Sequence, residues 1–429
     1  MNRILLKNAL VLTLDPQCPL VRDCDLVISG GKVEFLGKQA EGRFDRVLDA
    51  SHWVVLPGLV NAHTHTPMTL LRGLKDDCDL DVWLRDYIWP AENALTREDY
   101  YVGALLGMAE AIATGSTSIT DMYRASGESI RAAVECGIKA NICESILADE
   151  SFSPLTHAGV LESHQTVRDF NGYDDGRIRI DTSVQSCWQT VPALWEHIAG
   201  FARDEGIGIH VHLAETTSEI DHCRKTYGDS PVRLLDKAGI FQNRVAAAHC
   251  IYLDDEDRQI LKDRKAVIVH DPASNLKCCC GFAQLKPCVE QGIPIALATD
   301  GVCSNNTGDL FDTIKLTSLV QKMLSNDPAF LTANELLVMA TRNGLLSQGR
   351  AGEAGMIRPG MDADLIAVNI DHPSMQPLIS PEGNLVYSAS GAMVELTMVR
   401  GRILYYKGEF TTIDMDRLRW QVKQIVDRY

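Results

Sequence analysis

The sequence predicts an α/β protein: a (β/α)8 barrel of the TIM type, with a small β-sandwich domain built from both chain ends. Two observations lead there. Eight short apolar runs alternate with helix-compatible stretches through the middle of the 429-residue chain, the pattern of a parallel barrel wrapped by helices. Both ends of the chain instead read as closely spaced β segments. The expected division is residues 58–360 for the barrel, with 1–57 and 361–429 forming one discontinuous small domain.

In chain order, the first end offers NALVLTLD and then DLVISGGKVEFLG, where Gly30-Gly31 has the composition of a two-residue hairpin turn. The eight barrel strands are VVLPGLVNAHTH, TSITDMY, KANICES, RIRIDTSVQ, GIHVHLAE, VAAAHC, AVIVHDP and PIALATD. Between them lie stretches such as REDYYVGALLGMAEAIATG and GESIRAAVECG, apolar at helical spacing. The last part returns to β style with ADLIAVNID from Ala363 and ELTMVRGRILYYKGEF, turning at Gly401. No internal repeat, low-complexity tract or Pro-rich linker interrupts this order.

Composition excludes several classes. Hydrophobic residues make up 45% and the formal charge is -16, a surface that repels a phosphate backbone or an anionic membrane. No run approaches the roughly 18 apolar residues that span a bilayer. MNRILLKNALVLTLD lacks the apolar core and small-residue cleavage site of a signal peptide, so a cytoplasmic protein is expected, with no nucleic-acid or membrane partner. The 13 cysteines are odd in number and contain no C-x-x-C pair. They read as reduced thiols packed as small hydrophobes. The run Cys278-Cys279-Cys280 follows HDPASNLK, which also suits a loop beside an active site. Nothing in the sequence marks an interface, and a homo-oligomer is left open.

Chemistry collects where the barrel strands end. In LPGLVNAHTHT, His63 and His65 are two apart and share a strand face. That pair alone is weak. The fifth strand adds His210 and His212 followed by Glu215, the sixth ends in His249, the seventh in His270 and the eighth in Asp300. The chain has only 12 histidines, so ionisable groups at five of eight strand ends are hard to credit to chance. A metal site takes three or four N/O ligands and keeps a position open for water. His63, His65, one histidine of the fifth strand and Asp300 supply that set. His212 is preferred because it lies nearer the strand's C-terminal end, three residues before Glu215. His210 reads as a core or supporting residue, His270 as a structural hydrogen-bonder, and Asn305 and Asn306 as shaping the loop after the eighth strand.

Taken together, PGLVNAHTH, HVHLAE, AHC, HDPASNLK and ATDG with CSNN resemble the amidohydrolase superfamily. The likeness is greatest to its S-adenosylhomocysteine/methylthioadenosine deaminases and related cytosine, guanine and triazine aminohydrolases. It covers nearly the whole chain, including PGMDADLIAVN. The resemblance implies His63, His65, His212 and Asp300 as ligands of one divalent metal, Zn²⁺ first, with Fe²⁺ or Mn²⁺ as alternatives. Binuclear members use a Lys at the end of the fourth strand, and RIRIDTSVQS has none. The resemblance further implies Glu215 as proton shuttle, His249 as a water- or substrate-contacting group, and Glu92 in IWPAENAL as a substrate-binding carboxylate, with Asp300 also accepting a proton.

The reaction implied is hydrolytic deamination of an aminated nitrogen heterocycle with release of ammonia. Its substrate is a small molecule: an adenosine-type nucleoside such as S-adenosylhomocysteine or methylthioadenosine, or a related amino-purine, pterin, pyrimidine or triazine. The alternative is hydrolysis of a ring amide, a chloro substituent or an N-alkyl amine on the same scaffold. Zinc deaminases of the H-x-E, P-C-x-x-C kind are excluded because no C-x-x-C occurs. Two departures touch the substrate. Glu144 stands where the adenosine-type enzymes carry Arg, and Gln185 where they carry His. Both are expected to contact substrate here, and with Cys278–Cys280 they put S-adenosylhomocysteine itself in doubt.

Overall fold

A computed structural model describes residues 3–428. Its centre is a set of parallel strands. Leu59–Thr64, Ser116–Tyr123, Lys139–Glu144 and Ile178–Ile180 form a four-stranded sheet, and Thr182–Val184, Ile209–Leu213, Val245–His249, Val267–His270 and Ile295–Leu297 a five-stranded one. Only Asp181 separates the two pieces of the fourth strand. Its N–H donates to Ile142 O at 3.0 Å, and the Thr182 N–H donates to Gly208 O at 3.0 Å, so the ladders meet there. At the other seam the Asp300 N–H donates to His63 O at 3.1 Å. Beside it the Asn61 side chain bonds Thr299 twice, at 2.7 and 3.0 Å. These strands are buried almost throughout, as parallel strands covered by helices must be.

A helix follows each strand. Arg97–Ala113 begins at a capping box in which Thr96 and Asp99 satisfy each other's backbone N–H groups. Ser126–Cys136 ends on Gly137 at φ 86°, a left-handed stop that glycine takes without strain. Thr217–Tyr227, after the fifth strand, is capped by Thr216. Capping therefore falls to Thr216 and leaves the preceding Glu215 side chain free for another task.

Both chain ends enter one nine-stranded sheet. Trp53–Pro57 pairs antiparallel with Leu365–Asn369, and Arg3–Leu12 pairs with Leu20–Ser29. Gly30 and Gly31, at φ 56° and 81°, make the expected hairpin turn between Ser29 and Lys32. This sheet has its own apolar core, in which Leu6, Leu26, Trp53, Leu365 and Met398 are buried together. A charged seam joins it to the parallel strands. The buried Lys139 ammonium donates to Asp364 at 2.6 Å and Asp362 at 3.1 Å. Arg350, with no exposed surface, donates to the carbonyls of Ala140 and Arg177 at 3.0 Å and to Asn141 Oδ1 at 2.9 Å. Both lie where the third and fourth strands begin, away from the strand ends that carry the histidines.

Candidate metal centre

Period-two geometry in the first strand sends His63 and His65 to the same side. The fifth strand brings His212 against them, and the left-handed backbone at Asp300 (φ 60°) turns its carboxylate inward. His65 Nε2 lies 3.1 Å from Asp300 Oδ1, His63 Nε2 lies 3.3 Å from the same oxygen, and His212 Nε2 lies 3.3 Å from His65 Nε2. One ligand atom from each of the four residues falls within 4.8 Å of every other. Donors about 2.05 Å from a tetrahedral ion are about 3.3 Å apart, so these spacings match a shared cation.

Each imidazole is held from behind by its other nitrogen. His63 Nδ1 bonds His210 Nε2 at 2.7 Å, His212 Nδ1 donates to Gln185 O at 2.7 Å, and His65 Nδ1 bonds Met122 O. Such contacts set the ring orientation and leave Nε2 for the metal. Buried His63 Nε2 makes no hydrogen bond of acceptable geometry. Burial lowers the His63 pKa to about 4 and holds His212 well below its ordinary value, so both offer lone pairs. Burial alone would raise Asp300, but the His63 and His65 imidazoles beside its Oδ1 outweigh that and hold the carboxylate well below its ordinary value. Asp300 instead raises His65 against the effect of burial, and a cation bound by these groups would have to displace that proton.

Left-handed backbone at Ala214, His249, Cys250 and Asp300 (φ 49° to 70°) clusters at these same strand ends. Non-glycine residues hold such angles only where surrounding structure enforces them, at about 1–3 kcal/mol each.

A cavity of about 810 Å³, its open mouth included, lies over the four ligand groups and is lined by Glu215, His249, Glu92 and Gln185 among others. Glu215 Oε1 sits 3.8 Å from His249 Nε2 on one side and 3.8 Å from Cys280 Sγ on the other. Burial raises the Glu215 pKa, which favours a proton on it. His249 feels burial too, yet the carboxylates of Glu215, Asp271 and Asp300 overcome it and raise the imidazole to about 9. A cation in the site works against that rise. His249 Nδ1 donates to Asn275 Oδ1 at 2.8 Å, which aims Nε2 at the cavity.

The chain matches the amidohydrolase family model over residues 54–404. It belongs to the amidohydrolase family. This amidohydrolase is 37% identical over 429 residues, 99% of either chain, to a 5-methylthioadenosine/S-adenosylhomocysteine deaminase of Acetivibrio thermocellus. It is 36% identical to a 5'-deoxyadenosine deaminase of Methanosarcina acetivorans, covering 97% of this chain and 96% of the relative. Among solved structures it is similar to an adenosine deaminase from Xanthomonas campestris with bound zinc, at a TM-score of 0.94 and 27% identity over 99% of this chain and 98% of that one.

Two expectations for this amidohydrolase need correction. Glu144 does not line the cavity. Its carboxylate turns back onto the start of the Ser126–Cys136 helix, accepting the Ala125 N–H at 3.0 Å and the Ser126 N–H at 2.7 Å. Helix N-termini leave such donors unpaired, and a carboxylate satisfies both their hydrogen bonds and the dipole. His270 is not a structural hydrogen-bonder either: it is buried, and neither ring nitrogen has a partner among the described residues. Gln185 does line the cavity, its Oε1 accepting from Ser145 Oγ at 2.5 Å. Cys278 and Cys280 are buried and Cys279 is exposed, with Cys280 alone reaching toward Glu215.

Sequence reasoning passed over Tyr123 and Arg124, which hold Glu92. The Tyr123 hydroxyl donates to Glu92 Oε1, and Arg124 Nη2 lies 3.4 Å from Oε2. Their signal was position, since they close the second strand. It also passed over Trp83, Trp89 and Trp188, which wall the cavity from segments outside the strands.

Proposed function

We propose that this amidohydrolase deaminates an adenosine-type nucleoside hydrolytically: the ring amine and water become a ring carbonyl and ammonia. The observation that carries this reading is the placement of Glu215. Its carboxyl group, whose pKa burial raises, faces the same cavity as the four-donor set, where a ring nitrogen of an aminated heterocycle would sit. The names of the two full-length relatives given above, both nucleoside deaminases, support the same substrate class.

His63, His65, His212 and Asp300 would hold the cation, zinc by preference, which supplies Lewis acidity that brings the pKa of water from about 15.7 toward 7. Glu215 gives its proton to the ring nitrogen beside the amine-bearing carbon, making that carbon electrophilic, and then serves the departing ammonia. His249, fixed by Asn275, orients the attacking water and offsets the negative charge that develops on oxygen. Asp300 takes the proton that water gives up. Its Oδ2 is held by Ser274 Oγ at 2.6 Å and Ser304 Oγ at 3.0 Å, leaving Oδ1 toward the imidazoles. Glu92 and Gln185 meet the remainder of the nucleoside.

The same reading takes residues 58–360 as a closed (β/α)8 barrel and 1–57 with 361–429 as a sandwich. The hydrogen bonds at both barrel seams and the separate apolar core of the nine-stranded sheet support it. No helix among the described residues is long and apolar enough to cross a membrane.

Ammonia release from a panel tests the reaction: methylthioadenosine, S-adenosylhomocysteine and 5′-deoxyadenosine against free guanine, cytosine and a chlorotriazine. Turnover of the nucleosides with poor turnover of the others is expected. Failure on every nucleoside with zinc supplied would overturn the proposal.

A further inference from the structure

The cavity continues outward into a second hollow of about 760 Å³, open solvent included, lined by Trp89, Asn93, Arg124, Leu147, Trp188 and Gln189. Five of these six residues also line the inner cavity, so the two spaces are continuous. The walls are two indoles and a leucine. Arg124 is the single charged residue among the six.

Arg124 is poised between the two spaces. Its Nη1 donates to Asn93 Oδ1 at 2.9 Å, while Nη2 reaches Glu92 at 3.4 Å, longer than a good hydrogen bond. Its side chain keeps 31% exposure and lines the hollow, so it is accessible from there. Gln189 lies beside it, with its Oε1 occupied by the Ser186 hydroxyl at 3.0 Å. Its amide NH₂ is thereby left as a donor. The outer hollow therefore pairs apolar walls with a donor-rich end and carries no carboxylate of its own.

Resting on the nucleoside-deaminase reading, we propose that Arg124 is a specificity-determining residue that binds a carboxylate on a flexible arm of the nucleoside lying across Trp89 and Trp188. A planar guanidinium presents parallel N–H groups that match a carboxylate in two-point contact. A phosphate dianion calls for more than one cation, and the hollow has one. Glu144 cannot supply the contrary charge expected from its position, because its carboxylate is spent on the helix start. The cation arrives instead from just past the end of the adjoining second strand, with Glu92 offsetting part of its charge.

The test compares equilibrium binding of two deaminated products, which cannot turn over: S-inosylhomocysteine, with a carboxylate on its arm, and 5′-deoxyinosine, without the arm. Tryptophan fluorescence of the zinc-loaded enzyme reads both. Wild type is expected to prefer S-inosylhomocysteine. Arg124→Met should reduce that preference ratio about ten- to hundredfold, the size of a hydrogen bond to a charged group, and Arg124→Lys should recover part of it. An unchanged ratio in Arg124→Met overturns the assignment, whether or not both affinities fall together through Glu92. Ammonia release by wild type is scored separately, so loss of the deaminase reading and loss of the Arg124 assignment give different results.

Discussion

His212 Nε2 stands 3.3 Å from His65 Nε2 although 147 residues separate them. Nothing local holds that distance, because the two rings meet only when the first and fifth strands are in place. An ion bridging them should therefore stabilise the folded chain. A ligand at about 1,000 times its Kd contributes about 4.1 kcal/mol. Stripping metal with a chelator is expected to lower Tm by several degrees, and added Zn²⁺ should restore it. His212→Ala should melt at one temperature with or without zinc, which differential scanning calorimetry checks.

Glu215 offers a cleaner separation of chemistry from binding. Glu215→Gln keeps the shape and removes the transferable proton. A general acid of this kind contributes about 10²–10⁴-fold, so kcat should fall by that much while metal content and Tm hold steady. A variant with unimpaired kcat would remove Glu215 from the reaction.

Glu144 makes a pH prediction. Burial first, then the nearby Glu162 charge, raises its pKa from 4.5 to about 7, with the Ser126 and Ala125 N–H groups opposing. The folded protein thus holds a proton that the unfolded chain releases near 4.5. Its contribution to stability is full below pH 4.5, falls as pH rises through about 7, and is lost above that, an effect on the order of 3 kcal/mol at most. Urea unfolding from pH 5 to pH 8 should show wild type losing stability relative to Glu144→Gln. Parallel curves would contradict this.

Arg350 lies far from the reacting groups and is wholly buried. Arg350→Met removes the guanidinium that donates to the carbonyls of Ala140, Gly176 and Arg177, the last of which keeps the Ala140 N–H at 3.1 Å. A loss of about 3–5 kcal/mol in denaturant unfolding is expected, with kcat per folded molecule retained. A drop in kcat at full stability would place Arg350 in the chemistry instead.

Much of the centre was legible because strand geometry is periodic. The two-residue spacing of His63 and His65 fixes their shared face, and apolar runs mark where His212, His249 and Asp300 emerge. His210 differs from His212 by the same spacing, so only its place along the strand separated them, and it proves to support His63 from behind. Position at a strand end does not tell which way a long side chain turns. Glu144 closes its strand as expected, yet the unpaired N–H groups of the Ser126–Cys136 helix capture it. Arg124 was invisible for the complementary reason, since its partner Glu92 lies on Trp89–Ala94, a separate segment packed over the strand ends.

The central claim is that three imidazoles and one carboxylate hold a single cation on which deamination depends. Metal content measured together with ammonia release, on wild type and Asp300→Ala purified side by side, tests it most directly. About one ion per chain in wild type is expected, with both ion and turnover lost in the variant. Undiminished ammonia release by Asp300→Ala would contradict the account.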